Sequence, residues 1–381
     1  MRKSFLTTAT LSFLALTAGG IFPAVCQTMQ TPARNAFILD MSTNTVLFTK
    51  EADIETPPAS MSKLMTIYMV FERLKKGSIS LDDEFPVSRK AWRKGGSKMF
   101  VLVGDKVKVS DLLRGIIVQS GNDACIVIAE ALGGTEEAFA AMMTKKAREL
   151  GMENSRFANA TGWPDPDHRM SARDLAKLTQ ILVTEFPNLY KIFAETTFTY
   201  GRIKQGNRNP LLYRDVGADG LKTGHTVAAG YGLTASALRG NRRIILVLNG
   251  MKSSRQRSQE SLRLLEWAFR SFKPYVLFKK DEEVIKADVW LGTAAEVPLI
   301  VPETIQLTLP HSGRDKMKVS ARMTNPVAAP IAKGQRLGTL VITVPGRKTR
   351  EWPLVAGQEI KQLGFVGRIG ASIRHVLWGS S

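Results

Sequence analysis

The segment Pro57-Pro58-Ala59-Ser60-Met61-Ser62-Lys63-Leu64 constrains this chain more than any other. The Pro-Pro pair gives way to Leu64, Ile67, Tyr68, Phe71 and Leu74, apolar residues at three- and four-residue intervals. That spacing predicts a helix from Ala59 to about Lys75. Ser60 and Lys63 then lie one turn apart on one face, close enough for amine to meet hydroxyl. Ser60 falls at the helix N-terminus, where unpaired backbone N–H groups favour developing negative charge. A serine is a weak nucleophile until its proton is removed, and a desolvated lysine can remove it. The plainer reading is an N-cap serine followed by a surface lysine, and S-x-x-K alone does not decide between the two.

Two further stretches do. Ser120-Gly121-Asn122 follows the apolar run Leu112, Leu113, Ile116, Ile117, Val118, and Lys222-Thr223-Gly224 precedes a strand-like segment. The order S-x-x-K, S-x-N, K-T-G is the signature of penicillin-recognising serine acyl transfer. With Ser120-Gly121-Asn122-Asp123-Ala124-Cys125, Asn159-Ala160-Thr161-Gly162, Ser171-Ala172-Arg173-Asp174 and Lys222-Thr223-Gly224-His225-Thr226, the chain resembles the D-alanyl-D-alanine carboxypeptidases related to penicillin-binding protein 5. The resemblance covers nearly the whole mature chain.

The resemblance implies a role for each matching position. Ser60 is the expected nucleophile and Lys63, as a neutral amine, its general base. Ser120 is expected to relay a proton to the leaving D-alanine, and Asn122 to hold the substrate amide. Lys222, Thr223 and Arg208 are expected to receive the terminal carboxylate, with Gly224 allowing the substrate backbone to approach. The backbone N–H groups of Ser60 and His225 form the expected oxyanion hole; no role is assigned to the His225 side chain. Trp163 and Asp165 carry no assignment, and Cys125 reads as a small buried hydrophobe. Four histidines, none in metal-ligand spacing, argue against a zinc peptidase, and no cofactor or metal is expected.

Strand patterns over Asn35 to Asp40 and Thr45 to Lys50 flank the turn Ser42-Thr43-Asn44. Residues 88–100 have little periodicity and read as a basic loop. Helices are predicted over Val107 to Val118, Asp123–Leu132, Glu136–Leu150 and Ser171–Thr184. A second hairpin, Tyr231–Leu238 with Arg243–Asn249, is followed by a helix Arg255–Phe272. Strands at both ends with helices between predict an α+β domain, an antiparallel sheet packed by helices, as in the transpeptidase/β-lactamase-like fold that the resemblance implies. From Lys273, short alternating runs (Val284–Trp290, Ile305–Leu309, Met317–Arg322, Leu337–Val344) predict a small all-β domain without a catalytic constellation, read as a spacer.

The two ends speak to location. Arg2, Lys3 and an apolar run from about Phe5 to Phe22 read as a secretory leader cleaved after Cys26; Cys125 is then the only cysteine left, so no internal disulfide is expected. At the other end Phe365, Val366, Ile369, Ile373, Val376 and Leu377 share one helical face, opposite Arg368, Ser372, Arg374 and His375. The stretch is shorter than the ~20 residues that span a bilayer but suits an interfacial helix. The expected organisation is a leader over 1–26, a serine D,D-peptidase domain over 27–272, an all-β domain over 273–362 and an amphipathic membrane-anchoring tail over 363–381. The formal charge of +19 is scattered; in an exported protein it points to anionic lipid or an anionic wall polymer rather than nucleic acid. The expected protein acts at the periplasmic face of the inner membrane, on peptidoglycan stem peptides, with β-lactam antibiotics as covalent inhibitors.

Three rival functions share parts of this pattern. A class A β-lactamase uses a glutamate in an E-x-x-L-N context; the nearest string, Glu185-Phe186-Pro187-Asn188-Leu189, has the wrong order. A D,D-endopeptidase fits the β-domain and tail less well. A non-catalytic wall-binding protein would not need the full set of motif side chains.

Overall fold

Strand β1 (Asn35–Asp40) is buried at every position, which requires cover on both of its faces because successive side chains point to opposite sides. It lies between β2 (Thr45–Lys50) and β5 (Arg242–Met251), antiparallel to both. Beyond β5 come β4 (Gly230–Arg239) and then β3 (Ala218–Thr226), giving an antiparallel sheet of order β2-β1-β5-β4-β3 with β3 at an edge. The computed structural model describes residues 29–311, 315–345 and 349–370. The expected leader over 1–26 and tail positions 371–381, including Ile373, Val376 and Leu377, lie outside the described residues.

The block between β2 and β3 is helical. A 3-10 turn over Ala59–Ser62 leads into α1 (Lys63–Lys75), whose first nine residues are all buried. After it come α2 (Arg89–Arg93), α3 (Val109–Ile117), α4 (Asn122–Gly133), α5 (Glu136–Glu149) and α6 (Ala172–Glu185). Side chains of α1, α3, α4, α5 and α6 share one apolar core with Phe37, Leu221 and Val247 of the sheet. Ser171 caps α6 by accepting from Asp174 N–H, and Thr135 caps α5 through Ala138 N–H, as short hydroxyl side chains do at helix starts. Helix α7 (Ser254–Ser271) packs on β4 and β5.

Three local expectations are corrected. Residues 88–100 are not wholly irregular: Ser88 Oγ accepts from Ala91 N–H and starts α2. Lys106–Lys108 belongs to a short strand pairing with Glu84–Pro86, so the following helix begins only at Val109. Lys222-Thr223-Gly224 lies inside β3 rather than ahead of a strand; Ala218 to Leu221 lacks the alternation by which its first half could have been read.

From Phe272 the chain is β-structure. Phe272–Phe278 pairs with Ile305–Pro310, and six further strands form a sheet over a separate apolar core that includes Val297, Leu299, Leu340 and Leu354. The strands at Glu296–Ile300 and Arg350–Ala356 escape pattern reading because each carries an internal proline, a residue that demotes a strand assignment. The two cores meet at a buried polar knot. Asp40 Oδ2 accepts from Arg242 Nε at 2.7 Å and from Thr308 Oγ1 at 2.8 Å. Arg242 also donates to the carbonyls of Ala268, Phe269 and Phe272, closing the C-terminal end of α7. Among the described residues no helix is long and apolar enough to cross a membrane. In the short helix over 365–370, Phe365, Val366 and Ile369 are exposed.

Candidate active site

Ser60 sits on the 3-10 turn, half-buried, one turn before the fully buried Lys63. Lys63 Nζ and Ser60 Oγ are 2.8 Å apart, and Nζ also donates to Thr161 O at 2.5 Å. That carbonyl is fixed by the Asn159-Ala160-Thr161-Gly162 loop: Asn159 Oδ1 accepts from the N–H groups of Thr161, Gly162 and Trp163, while Thr66 Oγ1 of α1 donates to Ala160 O. The loop stands where it does so that a backbone oxygen meets the lysine. No carboxylate pairs with Lys63 among the described residues. Burial lowers its pKa to about 8, with Arg208 and Lys94 pushing the same way. The cost of burying the charged form therefore leaves a substantial share of neutral amine near physiological pH.

Ser120 and Asn122 stand at the start of α4. Ser120 is buried at φ +60°, a conformation uncommon for residues other than glycine, and its Oγ is buried with no partner among the described residues. Asn122 Nδ2 donates to Gly95 O at 2.8 Å, and its N–H to Ser97 O. Asp123, fully buried, accepts from the N–H groups of Met99, Phe100 and Val101. The basic segment is thereby stapled to the helix that carries the S-x-N turn.

The third motif comes from edge strand β3. Lys222 is buried, with no ion pair among the described residues, and donates only to Thr223 O at 3.2 Å. Burial first, then Lys63 and Arg208, lower its pKa well below the ordinary lysine value. Thr223 is buried beside it. Gly224 is constrained from within the chain: a Cβ there would lie 2.8 Å from Pro58 O and 3.1 Å from Met61 Cγ. The missing side chain makes room for the Ser60 turn. His225 is exposed and stacks on Tyr231, ring centroids 3.9 Å apart. Arg208 is exposed and donates to Ser97 Oγ at 2.6 Å.

One residue of this surface escaped the reading by motif. The Arg257 guanidinium lies 5.7 Å from the Tyr231 ring centroid, on the ring that carries His225, and its Nε is buried with no partner among the described residues. Burial lowers its pKa. It contributes, as Arg208 does, to the positive field on Lys222. A signal was present: Arg257 falls on the same stripe of α7 as Ser261, Leu264 and Ala268, the inward one. The Arg208 and Arg257 charges thus act on Lys222 beside the Thr223 hydroxyl, with no carboxylate paired to them among the described residues, and near a serine whose proton has an acceptor at 2.8 Å. The arrangement suits acyl transfer from a substrate that ends in an anion. No cluster of metal ligands occurs among the described residues.

Comparison with known proteins agrees with the chemistry. Residues 23–253 match the family model for D-alanyl-D-alanine carboxypeptidase, peptidase family S11. Residues 272–362 match that for the penicillin-binding protein 5 C-terminal domain. D-alanyl-D-alanine carboxypeptidase DacC of Escherichia coli (strain K12) is 38% identical over 369 residues, spanning 94% of this chain and 92% of the relative. DacF of Bacillus subtilis (strain 168) is 36% identical over 341 residues, 88% of this chain and 87% of its own. Penicillin-binding protein 5 from Haemophilus influenzae superposes with a TM-score of 0.77 at 33% identity, over 88% of this chain and 99% of that one. The chain belongs to the S11 family of serine D-alanyl-D-alanine carboxypeptidases.

Proposed function

We propose that this carboxypeptidase removes the terminal D-alanine from peptidoglycan stem pentapeptides through an acyl-enzyme on Ser60. The observation that carries the reading is the 2.8 Å contact of Ser60 Oγ with a fully buried lysine that lacks a carboxylate partner among the described residues. Neutral Lys63 takes the Ser60 proton as Oγ attacks the carbonyl of the penultimate D-alanine. The oxyanion is held by the N–H groups of Ser60 and His225. The proton passes from Lys63 through Ser120 to the leaving nitrogen; a buried hydroxyl with no competing partner suits that relay. D-alanine departs, and water, activated by the same lysine, cleaves the ester. Asn122 holds the substrate amide. Lys222, Thr223, Arg208 and Arg257 bind the terminal carboxylate.

The same nucleophile would open a β-lactam ring and keep the acyl group. A penicillin-binding protein D2 from Listeria monocytogenes, 27% identical with a TM-score of 0.59, is known in an ampicillin-bound form. We place the enzyme outside the cytoplasmic membrane, with 1–26 as an export leader, 27–272 as the catalytic domain, 273–362 as a spacer, and 363–381 as an interfacial anchor on anionic lipid. The exposed Phe365, Val366 and Ile369 support that anchor. Mass spectrometry of a pentapeptide ending in D-Ala-D-Ala tests the chemistry. Loss of one D-alanine is expected, with label from a tagged penicillin on Ser60 and none on Ser60→Ala. Cleavage of crosslinked dimers alone, or label on Ser62 or Ser120, would overturn it. Deleting 364–381 should release the protein from vesicles containing anionic lipid while soluble-peptide turnover persists; retention would place the anchor elsewhere.

A further inference from the structure

We propose that Asn209 is a positioning residue for carboxylate recognition: its buried side chain ties Arg208 to strand β3 and so sets the spacing between Arg208 and Lys222. This rests on the reading above, in which both cations receive the terminal carboxylate of the substrate, and adds how one of them is held in place. In Asn207-Arg208-Asn209 the arginine is exposed, while the asparagines on either side are 6% and 1% exposed. Asn209 is thus too deeply buried to meet a substrate itself. Its Oδ1 accepts from Leu211 N–H at 3.1 Å and starts a 3-10 turn over Pro210–Tyr213, as a short polar side chain does at a helix start. Its Nδ2 donates to Gly220 O at 2.8 Å, two residues before Lys222.

The partner of that bond is fixed in its own right. A Cβ on Gly220 would lie 2.9 Å from Tyr190 Oη and 3.1 Å from Phe193 Cβ, and both aromatic residues belong to the main apolar core. The strand is therefore a rigid reference, and Asn209 fastens the loop to it. Asn207 fastens the other side, accepting from Asn209 N–H at 3.0 Å and donating through Nδ2 to Glu195 O at 3.0 Å. Between these two anchors the Arg208 backbone has little freedom. The far end of its side chain is directed by Ser97 Oγ, and Ser97 O in turn accepts from Asn122 N–H. An arginine has several rotatable bonds, and ordering them when an anion binds costs free energy. Holding the residue at both ends beforehand removes part of that cost and leaves more of the charged hydrogen bond for the substrate. With the loop released from Gly220, the distance from the guanidinium to Lys222 would no longer be set to match one carboxylate.

The test uses the full-length enzyme and kcat/KM for peptides ending in D-Ala-D-Ala as the acid or the amide. Asn209→Ser keeps a capping hydroxyl for Leu211 N–H but is too short to reach Gly220 O. The acid-to-amide ratio is taken within each variant, so a general loss of folded enzyme cancels. It should fall about tenfold, as small displacements of binding groups allow, and no further than Arg208→Ala lowers it. In an Arg208→Ala background no arginine is left to place. Asn209→Ser should then leave the ratio within about twofold of Arg208→Ala alone, the non-additivity expected of residues that act as one unit. Asn209→Thr, which also caps and fills more of the buried space, replaces the serine variant if that one does not fold. A ratio unchanged by the substitution would overturn the proposal and leave Asn209 a purely structural residue, whatever the thermal midpoint does. A full further loss in the Arg208→Ala background, or an Arg208→Ala ratio equal to that of the wild type, would overturn it too, because Asn209 would not then act through Arg208. Equal turnover of acid and amide by the wild type would instead strike the carboxylate reading on which it rests, and the proposal with it.

Discussion

Gly162 and Ala59 are in such close contact that a Cβ on Gly162 would lie 2.0 Å from the Ala59 carbonyl oxygen. Gly162 has φ +77°, and Ala59, the residue before the nucleophile, is itself at φ +49°. The same Cβ would lie 2.6 Å from Ser62 Oγ, which donates to Ala59 O. The loop that supplies Thr161 O to Lys63 and the turn that supplies Ser60 are thus held face to face by the absence of one side chain. Gly162→Ala cannot be relieved by a flexible group, because the obstacle is backbone. Acylation of Ser60 by a labelled penicillin should fall at least about tenfold, since small displacements of reacting groups cost that much or more. Gly134→Ala is the comparison: its φ is +75° but nothing lies within 4 Å, so it should cost about 1–2 kcal/mol of stability and leave acylation intact. Equal acylation by Gly162→Ala and wild type would show that the contact does not set the geometry.

The pKa of Lys63 gives the pH dependence its direction. The base works only as the free amine, and burial places the transition near 8, down from 10.5. Below that value the working fraction, and kcat/KM with it, should fall about tenfold per pH unit; above it the rate should level off. Because the Arg208 charge also lowers the Lys63 pKa, Arg208→Ala should move this limb to higher pH. A profile flat from pH 6 to 9 would remove Lys63 as the base.

How far the site could be read before folding depends on what kind of contact made it. Ser60, Lys63, Ser120, Asn122 and Lys222 sit in short motifs whose spacing is itself the chemistry, so they were legible. The helix carrying Lys63 was legible from its apolar period, although the nucleophile turned out to sit on a tighter 3-10 turn ahead of it. Arg257 belongs to no motif, and only its place on the inward stripe of α7 marks it. The packing constraint on Gly224 was not legible because it comes from Pro58 and Met61, more than 160 positions away, which no local pattern encodes. The strands around Pro298 and Pro353 were missed because proline is rightly taken as a strand breaker, and here the sheet accommodates it.

Carboxylate recognition divides an enzyme acting at a chain end from one acting inside a chain. Lys222 is buried, and Arg257 has a buried Nε without a partner among the described residues; neither is paired with a carboxylate among them, so a substrate carboxylate would fill that place. Removing one partner of a desolvated charge pair costs about 2–5 kcal/mol, which corresponds to roughly 30-fold to several thousand-fold in kcat/KM. Amidating the substrate C-terminus should therefore nearly abolish turnover. Arg257→Ala should erase much of the preference for acid over amide, and more of it than Arg208→Ala, whose exposed guanidinium is already engaged by Ser97. Comparing kcat/KM for acid and amide peptides in the three proteins checks this. Discrimination unchanged in Arg257→Ala would exclude it from the carboxylate site.

Asp40 offers a test of how the sheet, α7 and the β-domain are joined. Its carboxylate is fully buried and accepts from Arg242 Nε, Thr308 Oγ1 and the Ser42 N–H. Arg242, only 13% exposed, spends its other donors on carbonyls at the end of α7 and at Phe272, where the β-domain begins. Asp40→Asn keeps the shape but leaves the guanidinium charge without a counter-ion in a buried site, at a cost of about 3–5 kcal/mol. For a chain of this size the thermal midpoint should fall by about 6–20 °C. Thr308→Val removes the hydroxyl that donates to Asp40 and also meets Thr43 Oγ1 at 2.7 Å, and should cost about 1–3 kcal/mol. The double substitution Asp40→Asn with Arg242→Met should recover part of the loss, because the unpaired charge is gone, although the carbonyls at the end of α7 then lose their donor. Since the knot lies away from Ser60 in the sheet, penicillin labelling of the folded fraction should stay near wild type in all three. An unchanged midpoint in Asp40→Asn would mean that the buried pair contributes nothing to holding the β-domain on the catalytic sheet.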